Sequence, residues 1–185
     1  GTYTVSYSIV SKADPSRAGS ATYAKPIVIT PDFRHVYVTN GVNPHAEAPY
    51  TSWKTAASRI EDALAVVSVG GTVHLSSGTF ERSACLTLAQ DAAIAGQGAD
   101  KTVIRWAGEG NSRLFVLNHQ NAALSNITLT GANGDGAGGS WGSCILIDTN
   151  GGRIEDCLIT GNTMSAANQY GMVALKSTDA VMRRC

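Results

Sequence analysis

The sequence predicts an all-β solenoid, in which short strands stack coil upon coil around one apolar interior. Its last third repeats, because Leu117, Ile147 and Leu175 occupy equivalent positions at offsets of 30 residues (117 to 147) and 28 residues (147 to 175). A period of this length is typical of repeat architectures. Within each repeat, inward apolar residues lie two apart between Gly- and Asn-rich turns, which is a strand pattern. No segment between the repeats is long and periodic enough for a helix.

A corner is predicted within each coil. The spacing of inward apolar residues changes from two to three at Asn126 and again at Asp156. Asn and Asp tolerate left-handed backbone angles and bond their own main chain, which suits a corner. Corner residues of successive parallel coils stack about 4.8 Å apart. We therefore expect Asn126, Asp156 and Arg184 to form a column, in which the last two members carry opposite charges.

Residues 1–35 are predicted to be an N-terminal strand arm and linker. Residues 2–10 alternate between polar and apolar types, and their apolar face consists of Tyr3, Val5, Tyr7 and Ile9. A polar linker at 12–20 and a short edge strand at 24–30 follow. An exposed strand this apolar is a liability on its own. Two alternatives remain open: donation of the strand to a neighbouring subunit, or a local hairpin packed on its own coils.

A capping helix is predicted over about residues 52–68, at the start of a solenoid domain at 36–185 with coils over about 72–185. Apolar residues recur at helical spacing from Trp53 to Val67, while Arg59, Glu61 and Asp62 form the solvent face. The end coil of a solenoid exposes its interior and free amide groups, which this helix would cover. No comparable lid follows at the other end, so the C-terminal coil is expected to be uncapped.

The segments IEDCLITGN at 154–162 and LSNITLTG at 124–131 resemble the coils of right-handed parallel β-helix proteins. These are the pectate-lyase-like superfamily and the bacterial surface proteins built on the same coil. The order of strand, loop, capping helix and first coils upstream is also similar, so the resemblance covers roughly residues 36–185. It implies a right-handed parallel β-helix with an N-terminal amphipathic capping helix. This fold hosts lyases, hydrolases, adhesins and scaffolds, so it implies no single function.

Composition excludes several function classes. The chain has 14 basic and 14 acidic residues and no basic stripe, which argues against a nucleic-acid partner. No run approaches the roughly 20 apolar residues of a membrane span. The chain starts at Gly1 without a leader, as a processed secreted protein or a trimmed chain would. With the resemblance, this favours an extracellular or cell-surface location.

Cysteine and histidine positions predict no metal site and no cofactor. The four cysteines show no metal-binding spacing. Cys157 and Cys185 fall at the same inward position, where they either stack as small apolar residues or form a disulfide of poor geometry. His45 and Glu47 share one loop but lack a third ligand. His74 is expected to face outward on a strand.

Two insertions between coils could contact a polysaccharide. They lie at residues 131–143 and 163–170, and long turns on one side of such a fold form the walls of a groove. Trp141 could stack on a sugar ring, with Asp135 and Tyr170 as polar contacts. The alternative is a flexible loop whose Trp folds back onto the coil.

Enzymatic activity is uncertain and disfavoured. The resemblance implies, for a lyase, clustered acidic residues that hold Ca²⁺ beside a basic Arg or Lys, and for a hydrolase two or three convergent carboxylates. Neither set is found when those patterns are carried over to this chain. Ca²⁺ is therefore expected only if the chain is a lyase.

The favoured function is a secreted structural or adhesive β-helix module that assembles into a filament or surface array. Assembly as a homo-oligomer would proceed by end-to-end stacking or strand donation, through the uncapped coil with Met182 and Cys185 and through the N-terminal strand. The alternative is the N-terminal part of a pectate-lyase-like polysaccharide lyase or glycoside hydrolase.

Overall fold

The computed structural model divides the chain into two units, Gly1–Asp32 and Phe33–Cys185. It describes residues 2–3, 6–10, 14, 16, 18–22, 27–28, 32–110, 112–134, 143–164, 171–176 and 178–185. These residues are mostly β, with a single helix of five residues among them.

The first unit consists of short antiparallel pairs. Its strands are β1 (Thr2–Tyr3), β2 (Ser6–Val10), β3 (Ala18–Thr22) and β4 (Ile27–Val28). β1 pairs with β4, and β2 pairs with β3. The strands of this unit therefore pair with one another, as a hairpin would, and β3 begins inside the stretch predicted as linker.

The second unit contains helix α1 and fourteen described strands. In chain order they are β5 (His35–Val38), α1 (Ile60–Leu64), β6 (Gly71–Leu75), β7 (Gly78–Arg82), β8 (Leu86–Leu88), β9 (Ala92–Ala95), β10 (Thr102–Trp106), β11 (Phe115–Leu117), β12 (Ala123–Ser125), β13 (Thr128–Thr130), β14 (Ile145–Ile147), β15 (Arg153–Glu155), β16 (Leu158–Ile159), β17 (Val173–Leu175) and β18 (Val181–Arg183).

The strands of this unit form three parallel sheets. Their orders are β5-β6-β9-β12-β15-β18, β7-β10-β13-β16 and β8-β11-β14-β17. From β6 onward the chain visits the three sheets in a fixed cyclic order, one strand in each per coil. This order is compatible with a solenoid.

The register confirms the predicted repeat. Ile154 pairs with Leu124 on one side and with Met182 on the other. Ile147 likewise pairs with Leu117 on one side and with Leu175 on the other. Equivalent apolar residues thus form columns that run through successive coils, and the residues of these columns in the inner coils are fully buried.

The predicted corners are confirmed. Asn126, Asp156 and Arg184 have φ angles of 58°, 52° and 51°, which lie in the left-handed region. Asp156 also accepts a hydrogen bond of 2.5 Å at Oδ1 from Arg184 Nε. The side chains of the last two corners therefore bond across the coils, as their opposite charges suggested.

The helix is much shorter than the predicted 52–68. Residues 52–59 are not helical, because the backbone of Ala57 bonds to β5 and not to its own preceding turn. Ala57 N donates to Tyr37 O at 2.8 Å, and Thr39 N donates to Ala57 O at 2.9 Å. Only Ile60–Leu64 is helical, and Ile60, Ala63 and Leu64 are buried against the apolar interior.

Two substitutions in one interior column should differ sharply in cost. We expect Ile154→Ala to lower the free energy of unfolding by about 2–4 kcal/mol, because it leaves a cavity in a filled core. Met182→Ala should cost less than about 1 kcal/mol in dilute protein, since less apolar area is lost from a half-exposed side chain. Urea unfolding followed by circular dichroism measures both. Equal costs would contradict the column described here.

Candidate functional site

A groove lies beside β7, which is an edge strand of its sheet. It encloses about 460 Å³ and is lined by residues 40–41, 58–61 and 79–84. We call it the β7 groove. One wall is β7 and the turn after it, and the other wall includes the start of α1.

Asn40 lies in the β7 groove and bonds both to β7 and to the turn before it. Its side-chain Nδ2 donates to the carbonyl oxygen of Thr79 at 2.7 Å, and its backbone N donates to Ser76 Oγ at 2.9 Å. Gly78 has a φ of 122°, and a Cβ at this position would lie 2.4 Å from Asn40 Nδ2. The glycine therefore gives the amide room to reach the edge of β7.

A partly buried ion pair crosses the groove. Arg82 Nη1 lies 2.7 Å from Glu61 Oε1, and the Arg82 side chain is only 12% exposed. Arg82 Nη2 also donates to Ala84 O at 3.3 Å. Within the described structure, Arg82 Nε and Glu61 Oε2 are buried without a hydrogen-bond partner. Glu61, predicted to lie on the solvent face of a helix, is instead the partner of this guanidinium.

The carboxylate of Glu61 is held in its ionised form. Burial by itself would raise its pKa, but hydrogen bonds from the backbone and from Arg82, with the charges of Arg82 and Arg59, lower the pKa below its ordinary value. A general acid of a glycosidase needs the opposite shift. Glu61 is therefore suited to structural pairing and not to proton donation.

A second ion pair, between Glu81 and Arg105, lies next to the groove on the outer face of the sheet. Residue 81 of β7 is directly opposite residue 105 of β10. The Arg105 side chain is 55% exposed, so solvent screens this pair far more than the Glu61–Arg82 pair.

Removing the two arginines should separate a buried ion pair from an exposed one. Arg82→Met should destabilise the protein by about 1–3 kcal/mol, because it leaves a partly buried carboxylate without its partner. Arg105→Met, the matched control, should change stability much less, because solvent screens its pair with Glu81. Chemical denaturation measures both. A larger effect at Arg105 would show that the groove pair is not the buried one.

A second candidate site is the final coil, formed by β16, β17 and β18. Each of these strands is the last in its sheet among the described residues. Leu175 and Met182 continue columns that are fully buried in the preceding coils, yet they are 45% and 43% exposed. The final coil thus presents interior-type apolar side chains to solvent.

Ion pairs hold the rim of the final coil to the coil before it. Lys176 Nζ lies 3.0 Å from Asp148 Oδ1, and Arg183 Nη2 lies 2.9 Å from Glu155 Oε1. Arg184 pairs with Asp156 at the corner. The three cations of this coil therefore each meet an acid of the preceding coil, which leaves little net charge on the rim.

The pKa of Asp156 reports on the corner. The hydrogen bond from Arg184, with the charges of Arg184 and Arg183, lowers this pKa below its ordinary 3.8. The stabilisation that this pair provides is present above the ordinary pKa and is lost as the pH falls through the lower, folded-state pKa.

Arg184→Asn keeps a residue that tolerates the left-handed corner and should raise the pKa of Asp156. Carboxyl NMR titration measures it, and Arg183→Ala, as the control, should produce a smaller rise.

The four cysteines are free thiols. Burial raises the pKa of Cys144 to about 12 and that of Cys157 to about 11. Cys157 is buried and Cys185 is exposed one coil further on, at the equivalent position after the corner. The disulfide alternative is therefore not formed in this structure.

Most of the remaining predicted site residues cannot be placed, because they fall on parts of the chain that the structure does not describe. Asp135, Trp141, Tyr170 and Val5 lie outside the described residues, and so do the side chains of Tyr3, Tyr7 and Ile9. Met182 and Cys185 both lie on the final coil and are exposed. No residue of the β7 groove was predicted as a site, because its walls come from separate parts of the sequence.

From the sequence, His45 was expected to bind no metal ion and His74 to face outward on its strand. His45 and Glu47 are exposed in one loop, and among the described residues no three His, Cys, Asp or Glu side chains are grouped to hold a metal ion. His74 lies on the outer face of β6 and is partly buried; burial and the neighbouring His35 lower its pKa.

No described helix is long and apolar enough to cross a membrane. Comparisons of the chain with protein-family models, with curated proteins and with solved structures give no match.

Proposed function

We propose that residues 33–185 form a right-handed parallel β-helix with α1 as its cap, and that the chain is a structural module outside the cell that associates with copies of itself through its final coil. The observation that carries this proposal is the exposure of Leu175 and Met182, whose equivalents in the inner coils are fully buried. Apolar columns of this kind are stabilised when a further surface covers them.

The first coil favours pairing of two final coils over a continuous head-to-tail stack. The outer edge of β5 is already bonded to the segment that precedes α1, since Tyr37 N donates to Tyr50 O and Thr39 N donates to Ala57 O, both at 2.9 Å. Helix α1 contacts β5 and β6. A head-to-tail neighbour would have to displace both. Two identical final coils can instead meet about a two-fold axis, which gives a closed dimer.

Charge does not oppose this pairing. Lys176, Arg183 and Arg184 would lie near their copies across such an axis, but each is paired with an acid of its own chain. The apolar centre with its paired rim fits the usual anatomy of an interface between copies, in which charged residues are depleted at the core and lie at the rim.

The N-terminal strand offers a second route to assembly, which would extend a dimer into an array. β7 is an edge strand with a groove beside it, and an extended segment can add to such an edge by main-chain hydrogen bonds. The segment with Tyr3, Val5, Tyr7 and Ile9 has the pattern for that role. To be donated, it would exchange its pairing with β3 and β4 for pairing with β7 of a second copy. A donated strand would bond to β7 at the position where Asn40 Nδ2 now donates to the carbonyl oxygen of Thr79.

A change of one side chain on the final coil tests the proposal. We expect the 185-residue protein to sediment as a dimer or larger species in a concentration-dependent way. Met182→Lys should give a monomer at the same concentrations, because it places an unpaired charge in the apolar centre of the interface. Sedimentation velocity measures the mass, and circular dichroism checks that the variant keeps its strand content.

Val69→Lys is the matched control, since Val69 is 79% exposed and lies away from the final coil, before β6. It should associate as the unchanged protein does. A protein that stays monomeric at every concentration, or association that survives Met182→Lys, would overturn assembly through this coil.

A further inference from the structure

Two imidazoles meet on the outer face of β5 and β6. His35 Nδ1 lies 3.0 Å from His74 Nε2, and the ring centroids are 5.2 Å apart. Residue 35 is opposite Thr72 and residue 74 is opposite Tyr37, so the two histidines are diagonal neighbours on adjacent parallel strands. This pair belongs neither to the β7 groove nor to the final coil.

Aromatic packing orients the pair. The Tyr37 ring stacks against His74 at 5.2 Å with an interplanar angle of 25°, and Trp53 packs on Tyr37 at 4.7 Å. On its other side, His74 is opposite Ala95 of β9, whose side chain is a single methyl group. His35 is exposed, so an ion from solvent can approach the two nitrogens.

The separation of the nitrogens matches the bite of a metal ion. Metal–nitrogen bonds of about 2.0–2.1 Å, as in zinc–histidine sites, place two nitrogens on one ion about 2.8–3.0 Å apart at square angles and about 3.3–3.4 Å apart at tetrahedral angles. In the structure the two nitrogens face each other in a hydrogen bond, which needs one proton between them. To bind one ion, both rings must turn so that their lone pairs converge on it; the ion then takes the place of this proton, which is released to solvent.

We propose that His35 and His74 form a surface site for a divalent transition-metal ion that favours imidazole, such as Ni²⁺, Cu²⁺ or Zn²⁺. Two protein nitrogens leave the remaining coordination positions to water. A bound ion would join β5 to β6, and so the first strand of the parallel sheet to the coil that follows it.

Isothermal titration of tag-free 185-residue protein with NiCl₂ tests this site. We expect one ion per chain. Replacement of either ligand, in His35→Ala or in His74→Gln, should weaken binding by more than about tenfold, since even indirect partners of a metal ligand contribute about 10–100-fold to affinity. The chain has four histidines, so His45→Ala and His119→Ala are matched controls that should bind as the unchanged protein does.

Electron paramagnetic resonance with one equivalent of Cu²⁺ provides a second readout. The spectrum should show coupling to two imidazole nitrogens in the unchanged protein and to fewer in His35→Ala. Absence of binding, or equal loss of affinity in His45→Ala or His119→Ala, would overturn the site. So would binding that persists unchanged in both His35→Ala and His74→Gln while circular dichroism shows them folded.

Discussion

One constraint governs the second unit: a coil of three short strands cannot enclose an apolar interior by itself. Each inward side chain is covered by the equivalent side chain one coil earlier and one coil later, as Leu124, Ile154 and Met182 show. Register, corner geometry and ion pairing follow from this need, because a shift of one residue would move every inward side chain outward. The same dependence sets the exposure of the first and last described coils. At β5 a short helix and a bonded segment provide cover, whereas the final coil leaves its column members partly exposed.

The sequence predicted the features that repeat. The apolar columns and the left-handed corners at Asn126 and Asp156 could be recognised because each coil repeats them at a fixed period. Features that occur once were harder to predict. β7 gives little signal of its own, because only Phe80 within it is buried and apolar residues do not alternate. The helix was overestimated because residues 52–59 keep helical apolar spacing while the backbone of Ala57 bonds to β5.

The candidate sites also include features that the sequence predicted and features that it did not. The exposure of Met182 followed from a pattern, since its column could be traced in the sequence. The β7 groove could not be predicted, because Glu61 and Arg82 come from different elements that only the packing of α1 beside β7 brings within 2.7 Å. The histidine pair was missed for a similar reason, as His35 and His74 are 39 residues apart and become neighbours only through the parallel pairing of β5 and β6. Local spacing carries no signal for such pairs.

The cyclic order of the strands has a consequence for how this chain can change in length. Each coil places one strand in each of the same three sheets and turns at the same corner. A gene segment that encodes one full circuit, meaning one whole coil, can therefore be duplicated or excised, and the flanking coils still match. A segment of half a circuit would place the solvent face of one wall against the interior of the next. The length of such a protein should therefore change by whole circuits, while the turns other than the shared corner can vary.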